Sequence, residues 1–303
     1  MTLPRLRTAG LALLVALQAS CARARPVPKV LVIGIDGVRP DIRAAADTPT
    51  LDSLAAAGYY APRAVTCSPT ISGPGWSSML IGVCAAKHRV MNNDFHGNAY
   101  DRYPEFLTRI EQVRPELHTL AALDWPPLGT TASGGPLVSD AVDQKVTLDG
   151  DALGYDVADS LSVTAAAAAL ATGEVDAAFV YLGNPDEVAH AHGALGPEYP
   201  AAIARADRQV AELLAALRRR PSYAREDWLV LISTDHGHRD EGGHGGTSPQ
   251  EETIFYLASG PSVVAPPAEV TPVIVDVAVT ALTHLGIAIR PEWDLDGKAV
   301  GIR

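Results

Sequence analysis

The sequence lacks several features that would assign it to a simple class. It carries 24 basic residues against 35 acidic ones, for a formal net charge of −11, so it lacks the positive charge of a general nucleic-acid-binding protein. It shows no internal repeats and no long linker, and beyond residues 1–24 it has no apolar run long enough to span a membrane. Hydrophobic residues make up 47% and charged residues 19%, which excludes a disordered chain. A chain of 303 residues with this composition can form a large core, in one large domain or two small ones.

The first residues have the features of an export signal. Two arginines precede the apolar run AGLALLVALQAS, which is too short to cross a bilayer; a buried amino-terminal helix is the alternative. Two cleavage sites for this signal are possible. The sequence ARA at Ala22–Ala24 fits ordinary signal peptidase, whereas LQASC resembles a lipoprotein box with Cys21 as the lipidated residue. We therefore expect residues 1–24 to be a signal segment and the mature protein to be periplasmic or extracellular. Its one membrane contact would be a lipid at Cys21.

Cysteines are few. Excluding Cys21, the chain has only Cys67 and Cys84. In the oxidising compartment that export implies, this pair can form a disulfide, and two free buried thiols are the alternative. The sequence leaves both possibilities open.

Apolar strand-like runs alternate with helical patterns along the chain. Runs typical of strands lie at 29–36, 118–123, 175–183, 227–235 and 253–260. Patterns typical of helices lie at 48–58, 103–113, 156–173, 198–220 and 271–286. This alternation predicts an α/β fold with a mostly parallel central sheet and helices on both faces. In such folds, ligands bind beyond the carboxyl ends of the strands.

Carboxylates and histidines follow three of the buried runs, and a parallel sheet would bring them to one edge. In chain order these residues are Asp36, Asp186, His190, Asp235, His236, His238 and His244. Asp186 and His190 stand at i and i+4, so one helical face can present both to a single ion. Alone, each motif could be a turn, a surface pair or a polar loop. Together, six or seven such ligands suit two zinc-like ions better than one.

Four motifs in this order carry a family resemblance. IGIDGVRPD, SPTISGPGWSSMLIG, NPDEVAHAHG and STDHGHRDEGGHGG resemble the alkaline phosphatase superfamily, and within it the nucleotide pyrophosphatase/phosphodiesterase branch. The resemblance covers nearly all of the mature chain. It implies an alkaline phosphatase-like sandwich over residues 25–303, forming a single catalytic domain. It also implies a two-zinc site and a Ser or Thr nucleophile at a helix amino terminus.

The resemblance assigns two sets of metal ligands. The first set would be Asp36, the nucleophile, Asp235 and His236. The second set would be Asp186, His190 and His244. The remaining histidines, His238 and His192, fall outside this pattern and are expected behind the ligands or on the surface.

Residues 67–82, CSPTISGPGWSSMLIG, offer four candidate nucleophiles: Cys67, Ser68, Thr70 and Ser72. In the resembling families the nucleophile opens a short helix and a glycine follows ten residues later. Counting back ten residues from Gly82 identifies Ser72 as the expected nucleophile, and Pro74 also matches the phosphodiesterase pattern. A hydroxyl at a helix amino terminus lies beside backbone N–H groups that bind anions. Thr70 is the alternative nucleophile, and a plain helix cap is the alternative role of Ser72.

Cys67 raises a second possibility. The sequence CSPTI begins like the C/S-x-P-x-R motif of sulfatases, in which the first residue matures into formylglycine. Ile71 stands at the position of the motif arginine, and the spacing from Cys67 to Gly82 is about a turn and a half too long. A sulfatase-type hydrolase and a non-catalytic metal-binding exported protein are the alternatives to a phosphodiesterase.

The resemblance and the export signal together predict an exported two-metal hydrolase of phosphoric esters, phosphodiesterase/nucleotide pyrophosphatase-like, that acts through a phosphorylated Ser72. The expected cofactors are two divalent ions, zinc first, and the expected partner is a small-molecule phosphate ester rather than a nucleic-acid polymer. Gly75 stands where the nucleotide-cleaving branch has an asparagine that contacts the phosphate. Asn92 or Asn93 is expected to supply that contact, and we assign it to Asn93.

Overall fold

The computed structural model describes residues 25–172 and 174–303. The export signal and Cys21 that the sequence predicts lie outside this part of the chain. Within it, no helix combines the length and the apolar character needed to cross a bilayer.

A seven-stranded sheet forms the centre of the protein, with strand order β2-β7-β6-β1-β5-β3-β4. The strands are β1 (Val27–Ile35), β2 (Tyr59–Val65), β3 (His118–Leu123), β4 (Gln144–Thr147), β5 (Val175–Leu182), β6 (Glu226–Ser233) and β7 (Thr253–Ser259). Strands β6, β1, β5, β3 and β4 pair in parallel, whereas β7 pairs antiparallel with both of its neighbours. The predicted mostly parallel sheet is confirmed.

Helices cover the sheet on both faces. In the described ranges they are α1 (Pro40–Arg43), α2 (Pro49–Ala57), α3 (Ser72–Ile81), α4 (Ala85–His88), α5 (Phe106–Val113), α6 (Pro126–Gly129), α7 (Gly150–Leu153), α8 (Tyr155–Thr172), α9 (Asn184–His192), α10 (Glu198–Arg218), α11 (Pro249–Glu252) and α12 (Asp276–His284). Short 3₁₀ helices lie at Ala132–Gly134, Tyr223–Arg225 and Pro291–Trp293.

The central strand β1 divides its side chains between two hydrophobic cores. Val30 and Val32 belong to the core that α3, α5 and α12 cover. Leu31, Ile33 and Ile35 belong to the core that α2, α8 and α10 cover on the other face. Successive side chains of a strand point to opposite faces, so a strand of continuous apolar residues requires helices on both. This arrangement buries the sheet and leaves its carboxyl edge to form a site.

The predicted strands and helices are present, but two strands had no signal in the sequence. β2 contains Pro62, and its pairing with β7 is irregular between Ala61 and Ala64. β4 has four residues, none of them buried. Both strands lie at the edges of the sheet, where proline and polar residues are tolerated and the apolar pattern is lost.

Candidate active site and metal centre

Three adjacent parallel strands, β6, β1 and β5, deliver acidic residues to one edge of the sheet. Asp36 directly follows β1, Asp235 follows β6, and Asp186 lies in the first turn of α9, after β5. All three are buried. The backbone N–H of Asp36 donates to the carbonyl of Leu182 at 2.8 Å, which extends the sheet pairing to the first carboxylate of the site.

Two aromatic side chains fix the orientation of Asp36. The indole N–H of Trp76 and the hydroxyl of Tyr181 both donate to its Oδ2, at 2.9 and 2.6 Å. The other oxygen, Oδ1, lies 3.5 Å from His236 Nε2. Trp76 reaches this position because residue 34 is Gly34, where a Cβ atom would overlap the indole ring. The local sequence around these two aromatic residues does not predict their place in the site.

Asp36, Asp235 and His236 form a first group, with ligand atoms all within 4.8 Å of one another. Asp235 accepts the N–H of Gly37 through Oδ1 at 3.2 Å, and its Oδ2 lies 3.1 Å from His236 Nε2. Ser72 Oγ lies 3.2 Å from the same Nε2 atom. The structure therefore brings the first predicted ligand set together, including the predicted nucleophile.

Asp186, His190 and His244 form a second group within the same distance limit. The Nε2 atoms of His190 and His244 are 3.0 Å apart, and His190 Nε2 lies 3.3 Å from Asp186 Oδ2. The Nδ1 of His244 donates to the carbonyl of Thr70 at 2.8 Å, which directs its Nε2 lone pair into the group. The side chain of His190 is 43% exposed, so the site opens to solvent on this side.

Burial disfavours the charged forms of the side chains in the first group and therefore shifts their pKa values. Burial, together with the negative charge of Asp186, raises the pKa of Asp36 to about 7. Burial and the charge of Asp36 raise the pKa of Asp235 well above its usual range. Burial also lowers the pKa of His236 well below its usual range, so the imidazole is neutral, as a metal ligand must be. A nearby divalent cation would restore the ionised form of both carboxylates.

Carboxylate oxygens without a hydrogen-bond partner also indicate that these groups suit a bound cation. Three buried carboxylate oxygens of these groups accept no hydrogen bond within residues 25–172 and 174–303: Asp36 Oδ1, Asp186 Oδ1 and Asp235 Oδ2. A buried polar atom without a partner costs about 1–3 kcal/mol, and more when it is charged. A bound cation removes that cost. Carboxylate and imidazole donors suit zinc and similar ions, so the residues present fit a divalent metal centre.

The two histidines outside the ligand sets occupy different places. His192 lies at the end of α9 and is exposed. His238 is fully buried, and its Nε2 lies 2.8 Å from Asp186 Oδ1. His238 therefore belongs to the centre although the family pattern does not include it.

The nucleophile segment has the predicted register. Helix α3 begins at Ser72 and is closed by Gly82 in the left-handed conformation, with φ 86°. The alternative, Thr70, uses its hydroxyl structurally: it donates to the carbonyl of Gly246 at 2.7 Å and accepts the N–H of Gly245 at 3.0 Å. Thr70 therefore holds the glycine-rich loop, residues 237–246, against the start of α3.

Cys67 and Cys84 are joined by a disulfide, with their Cα atoms 5.8 Å apart. Of the two possibilities left open by the sequence, the structure shows the bonded one. The bridge spans α3, from the segment before Ser72 to the start of α4. A disulfide-bonded sulfur cannot be converted into formylglycine, so Cys67 is not available for sulfatase chemistry in this state.

The amino terminus of α3 offers fewer N–H groups to an anion than the sequence analysis expected. The N–H of Gly73 donates to Asn93 Oδ1 at 2.8 Å, and residue 74 is a proline, which has no N–H. At Gly75, a Cβ atom would lie 2.8 Å from the Cβ of Asp235. Any side chain at this position, including the asparagine of the nucleotide-cleaving branch, would collide with a candidate ligand.

This fold and the paired Asp/His groups at its sheet edge define a member of the alkaline phosphatase superfamily. More narrowly, the chain belongs to the type I phosphodiesterase / nucleotide pyrophosphatase family, whose model matches residues 30–245. A second model, for a domain of unknown function (DUF4983), matches residues 252–300, which contribute β7 and α12. No curated protein matches the sequence significantly.

Solved structures share the fold at low sequence identity. Murine ectonucleotide pyrophosphatase/phosphodiesterase 5 is 14% identical with a TM-score of 0.67, over 87% of this chain and 96% of its own. A phosphonate monoester hydrolase of Agrobacterium radiobacter is 15% identical with a TM-score of 0.66, over 91% and 76%. A 2-O GAG sulfatase is 15% identical with a TM-score of 0.68, over 91% and 73%. These likenesses show the shared fold, and the family match over residues 30–245 identifies the protein as a hydrolase of this superfamily.

Proposed function

We propose that the protein is an exported two-metal phosphodiesterase that acts on a small-molecule phosphate ester through a phosphorylated Ser72. One observation carries this proposal. Ser72 Oγ lies at the start of α3, 3.2 Å from His236 Nε2, in a group where Asp36 Oδ1 and Asp235 Oδ2 accept no hydrogen bond from the described residues. In this setting Ser72 would act as a nucleophile that a bound metal activates. It does not act as a helix cap, because its side chain makes no capping hydrogen bond to α3.

The centre would hold two divalent ions, and zinc suits its donors best. Bound there, such ions lower the pKa of a coordinated hydroxyl and stabilise a leaving oxygen. The first ion would be held by Asp36, Ser72, Asp235 and His236. The second ion would be held by Asp186, His190 and His244.

The protein's own side chains would supply the nucleophile, orient Asp36 and contact the phosphate. Ser72 Oγ attacks phosphorus in line, the ester oxygen leaves on the opposite side, and water then hydrolyses the phosphoserine. Trp76 and Tyr181 keep Asp36 from turning away from the group, because both donate to its Oδ2. Asn93 takes over the phosphate contact that Gly75 cannot make. Its Oδ1 is engaged by Gly73, which leaves its amide N–H groups for a phosphate oxygen.

A sulfatase is the second candidate, since a sulfatase shares the fold. Two observations favour phosphate. The residue that a sulfatase would modify, Cys67, is held in a disulfide. The family model that covers residues 30–245 is that of phosphodiesterases.

A panel of matched aryl esters tests the proposal. The zinc-loaded protein should hydrolyse an aryl phosphodiester fastest, the matching phosphomonoester more slowly, and the sulfate ester at background rate. Acid quenching during turnover should leave phosphate on the peptide that contains Ser72. A preference for the sulfate ester would contradict the proposal and indicate a sulfatase. Zinc binding without turnover of any ester would replace it with a non-catalytic binding protein.

We also infer that the protein is exported, touches membranes only through a lipid at Cys21, and has no nucleic-acid polymer as a partner. The charged and apolar pattern of residues 1–24, the Cys67–Cys84 disulfide and the net charge of −11 support this. The intact mass of the mature protein tests it. An amino terminus at Arg25 indicates a free exported protein, and an acylated Cys21 indicates a lipoprotein. A full-length chain that starts at Met1 would contradict export.

A further inference from the structure

We propose that Asp159 of α8 is a positioning residue of the metal centre. Its carboxylate holds the turn that leads from β5 into α9, and this turn sets the place of the two candidate ligands of α9, Asp186 and His190. Asp159 acts through the backbone of α9 and does not itself bind the metal. The inference rests on the metal centre of the proposed function, and it adds a residue that the candidate ligand groups do not include.

The start of α9 presents two backbone N–H groups that its own helix cannot pair. They belong to Gly183 and Asn184, and the first N–H groups of an α-helix have no partner within it. Residue 185 is a proline, which has no N–H, and no side chain of α9 caps the helix. These residues are buried, so the two N–H groups need an acceptor from another part of the protein.

Asp159 supplies both acceptors. Its Oδ1 accepts the N–H of Gly183 at 2.8 Å, and its Oδ2 accepts the N–H of Asn184 at 3.2 Å. Asp159 is fully buried, so water does not compete for these hydrogen bonds. A negative charge at the amino terminus of a helix is also favoured by the helix dipole. A neighbouring helix thus provides the cap that α9 lacks.

The turn is also attached to the sheet, next to the first ligand group. The N–H of Asp36 donates to the carbonyl of Leu182 at 2.8 Å, one residue before the turn. Asp186 follows Asn184 by two residues, and His190 lies one helical turn further, with its Nε2 3.3 Å from Asp186 Oδ2. A displacement of the turn would therefore move both ligands of α9 relative to Asp36.

A second buried carboxyl group lies beside Asp159. It belongs to Asp124, which follows β3, and Ser162 of α8 donates to its Oδ2 at 3.4 Å. Burial and then the negative charge of Asp159 raise the pKa of Asp124 to about 10, whereas burial raises the pKa of Asp159 to about 7. Of the two, Asp124 therefore holds the proton, and Asp159 is the charged acceptor at the start of α9.

Asp207 offers a matched control. It is a buried residue of α10 whose carboxylate accepts the N–H groups of Thr50 and Leu51, at 3.1 and 2.7 Å, at the start of α2. It makes the same kind of contact as Asp159, but α2 contributes no residue to the candidate ligand groups. A purely structural role would therefore give replacements of Asp159 and Asp207 the same effects.

Zinc affinity separates the two roles. Competition with a chromophoric chelator gives the dissociation constants, and the side-chain ¹H–¹⁵N signals of His190 and His236 report the second and first ligand groups separately. Asp159→Ala should weaken the second group by about 10-fold, the lower end of what loss of a supporting residue costs, and leave the first group close to the wild type. Asp159→Asn keeps one acceptor oxygen and should lose less. Asp207→Ala should lower Tm and bind zinc like the wild type.

The unmutated protein gives a test that does not depend on the folding of a variant. If the contact of Asp159 strengthens zinc binding, zinc must strengthen that contact to the same extent. Zinc should therefore slow amide hydrogen exchange at Gly183 and Asn184 more than at Thr50 and Leu51. Equal slowing at the two pairs would overturn the proposal.

The zinc affinities can also overturn it. Asp159→Ala and Asp207→Ala with equal affinities would make Asp159 purely structural, and an equal loss at both ligand groups would exclude an effect through α9. Failure of the metal centre gives a different result, because the wild type would then bind no zinc. Failure of the phosphodiesterase activity would appear in the ester panel and leave these zinc affinities unchanged.

Discussion

Ser72 differs from the neighbouring hydroxyls in the groups that it contacts. Ser68 Oγ donates to the carboxylate of Glu252 at 3.3 Å, and the Thr70 hydroxyl is engaged by the glycine-rich loop. Ser72 Oγ instead faces His236 and the first ligand group. Three hydroxyls within five residues therefore make three different contacts, and of these only the Ser72 hydroxyl adjoins the candidate metal ligands.

Ser72→Ala should abolish turnover and leave zinc binding largely intact. The second ligand group is untouched, and the first keeps its two carboxylates and His236. We expect a fall in kcat of roughly three orders of magnitude or more on an aryl phosphodiester, since loss of a covalent nucleophile is seldom compensated. Ser68→Ala is the matched control and should keep the wild-type kcat. A Ser72→Ala protein with near-normal kcat would exclude the phosphoserine route.

The sequence was sufficient to identify residues whose role follows from local spacing. Asp36 and Asp235 follow apolar runs, and Asp186 and His190 stand one helical turn apart, so their meeting at the sheet edge was predictable. Trp76 and Tyr181 were not identified, because their contacts join segments far apart in the chain. Nothing in the residues around Trp76 indicates that its indole reaches the end of β1. Such contacts depend on how α3 packs against the sheet.

At the scale of elements, α3 is secured at both ends. Its first residue is Ser72, its last turn is closed by Gly82, and the Cys67–Cys84 disulfide spans it. The helix also lies in the core that α5 and α12 share. The position of Ser72 is therefore set by the packing of one short helix rather than by a flexible loop.

Replacing both cysteines, as Cys67→Ser/Cys84→Ser, should lower stability without removing activity. The bridge joins residues 17 apart, and a loop of this size contributes about 3 kcal/mol to the free energy of unfolding. Urea titrations should show a lower midpoint for the variant. Its kcat, measured well below that midpoint, should stay close to that of the wild type, because Ser72 and the ligands are unchanged. A large fall in kcat at full folding would mean that the bridge also sets the geometry of Ser72.

Glu105 makes the stability of α5 dependent on pH. Its carboxylate accepts the N–H groups of Leu107 and Thr108 at the start of the helix, and burial raises its pKa from 4.5 to about 7. Between these values the folded protein binds a proton more tightly than the unfolded chain, so this contribution to stability falls as pH rises from about 5 to about 7. Glu105→Gln keeps an acceptor and removes the titration. Its free energy of unfolding should fall less over that interval, and equal slopes would contradict the assignment.

At the scale of the whole molecule, the metal centre joins segments that are remote in sequence. Its candidate ligands come from the ends of β1 and β6, from α3, from α9 and from the glycine-rich loop. The unfolded chain does not hold them together, so the free energy of binding a divalent ion there would add to the free energy of folding. The strands must pair in their native register before the candidate ligands can meet.

Removal of zinc should therefore destabilise the entire protein. At a zinc concentration a thousandfold above Kd, each occupied site adds about 4 kcal/mol to the free energy of unfolding. Chelator-treated protein should show a lower Tm that rises again as zinc is returned, and Asp186→Asn should show a smaller rise. A Tm that does not respond to zinc would contradict the metal centre.

The hydrogen bond from Trp76 to Asp36 also gives the protein an intrinsic optical reporter. Indole emission is sensitive to the charge on the group that accepts its N–H. A cation at Asp36 Oδ1 would draw electron density from the carboxylate that holds Trp76 at 2.9 Å. Titration with zinc should shift the emission, and titration with cobalt should quench it, whereas Trp76→Phe should lose both responses. Comparison with Trp76→Phe separates this response from the emission of Trp125, Trp228 and Trp293, so occupancy of the first ligand group can be followed without any added dye.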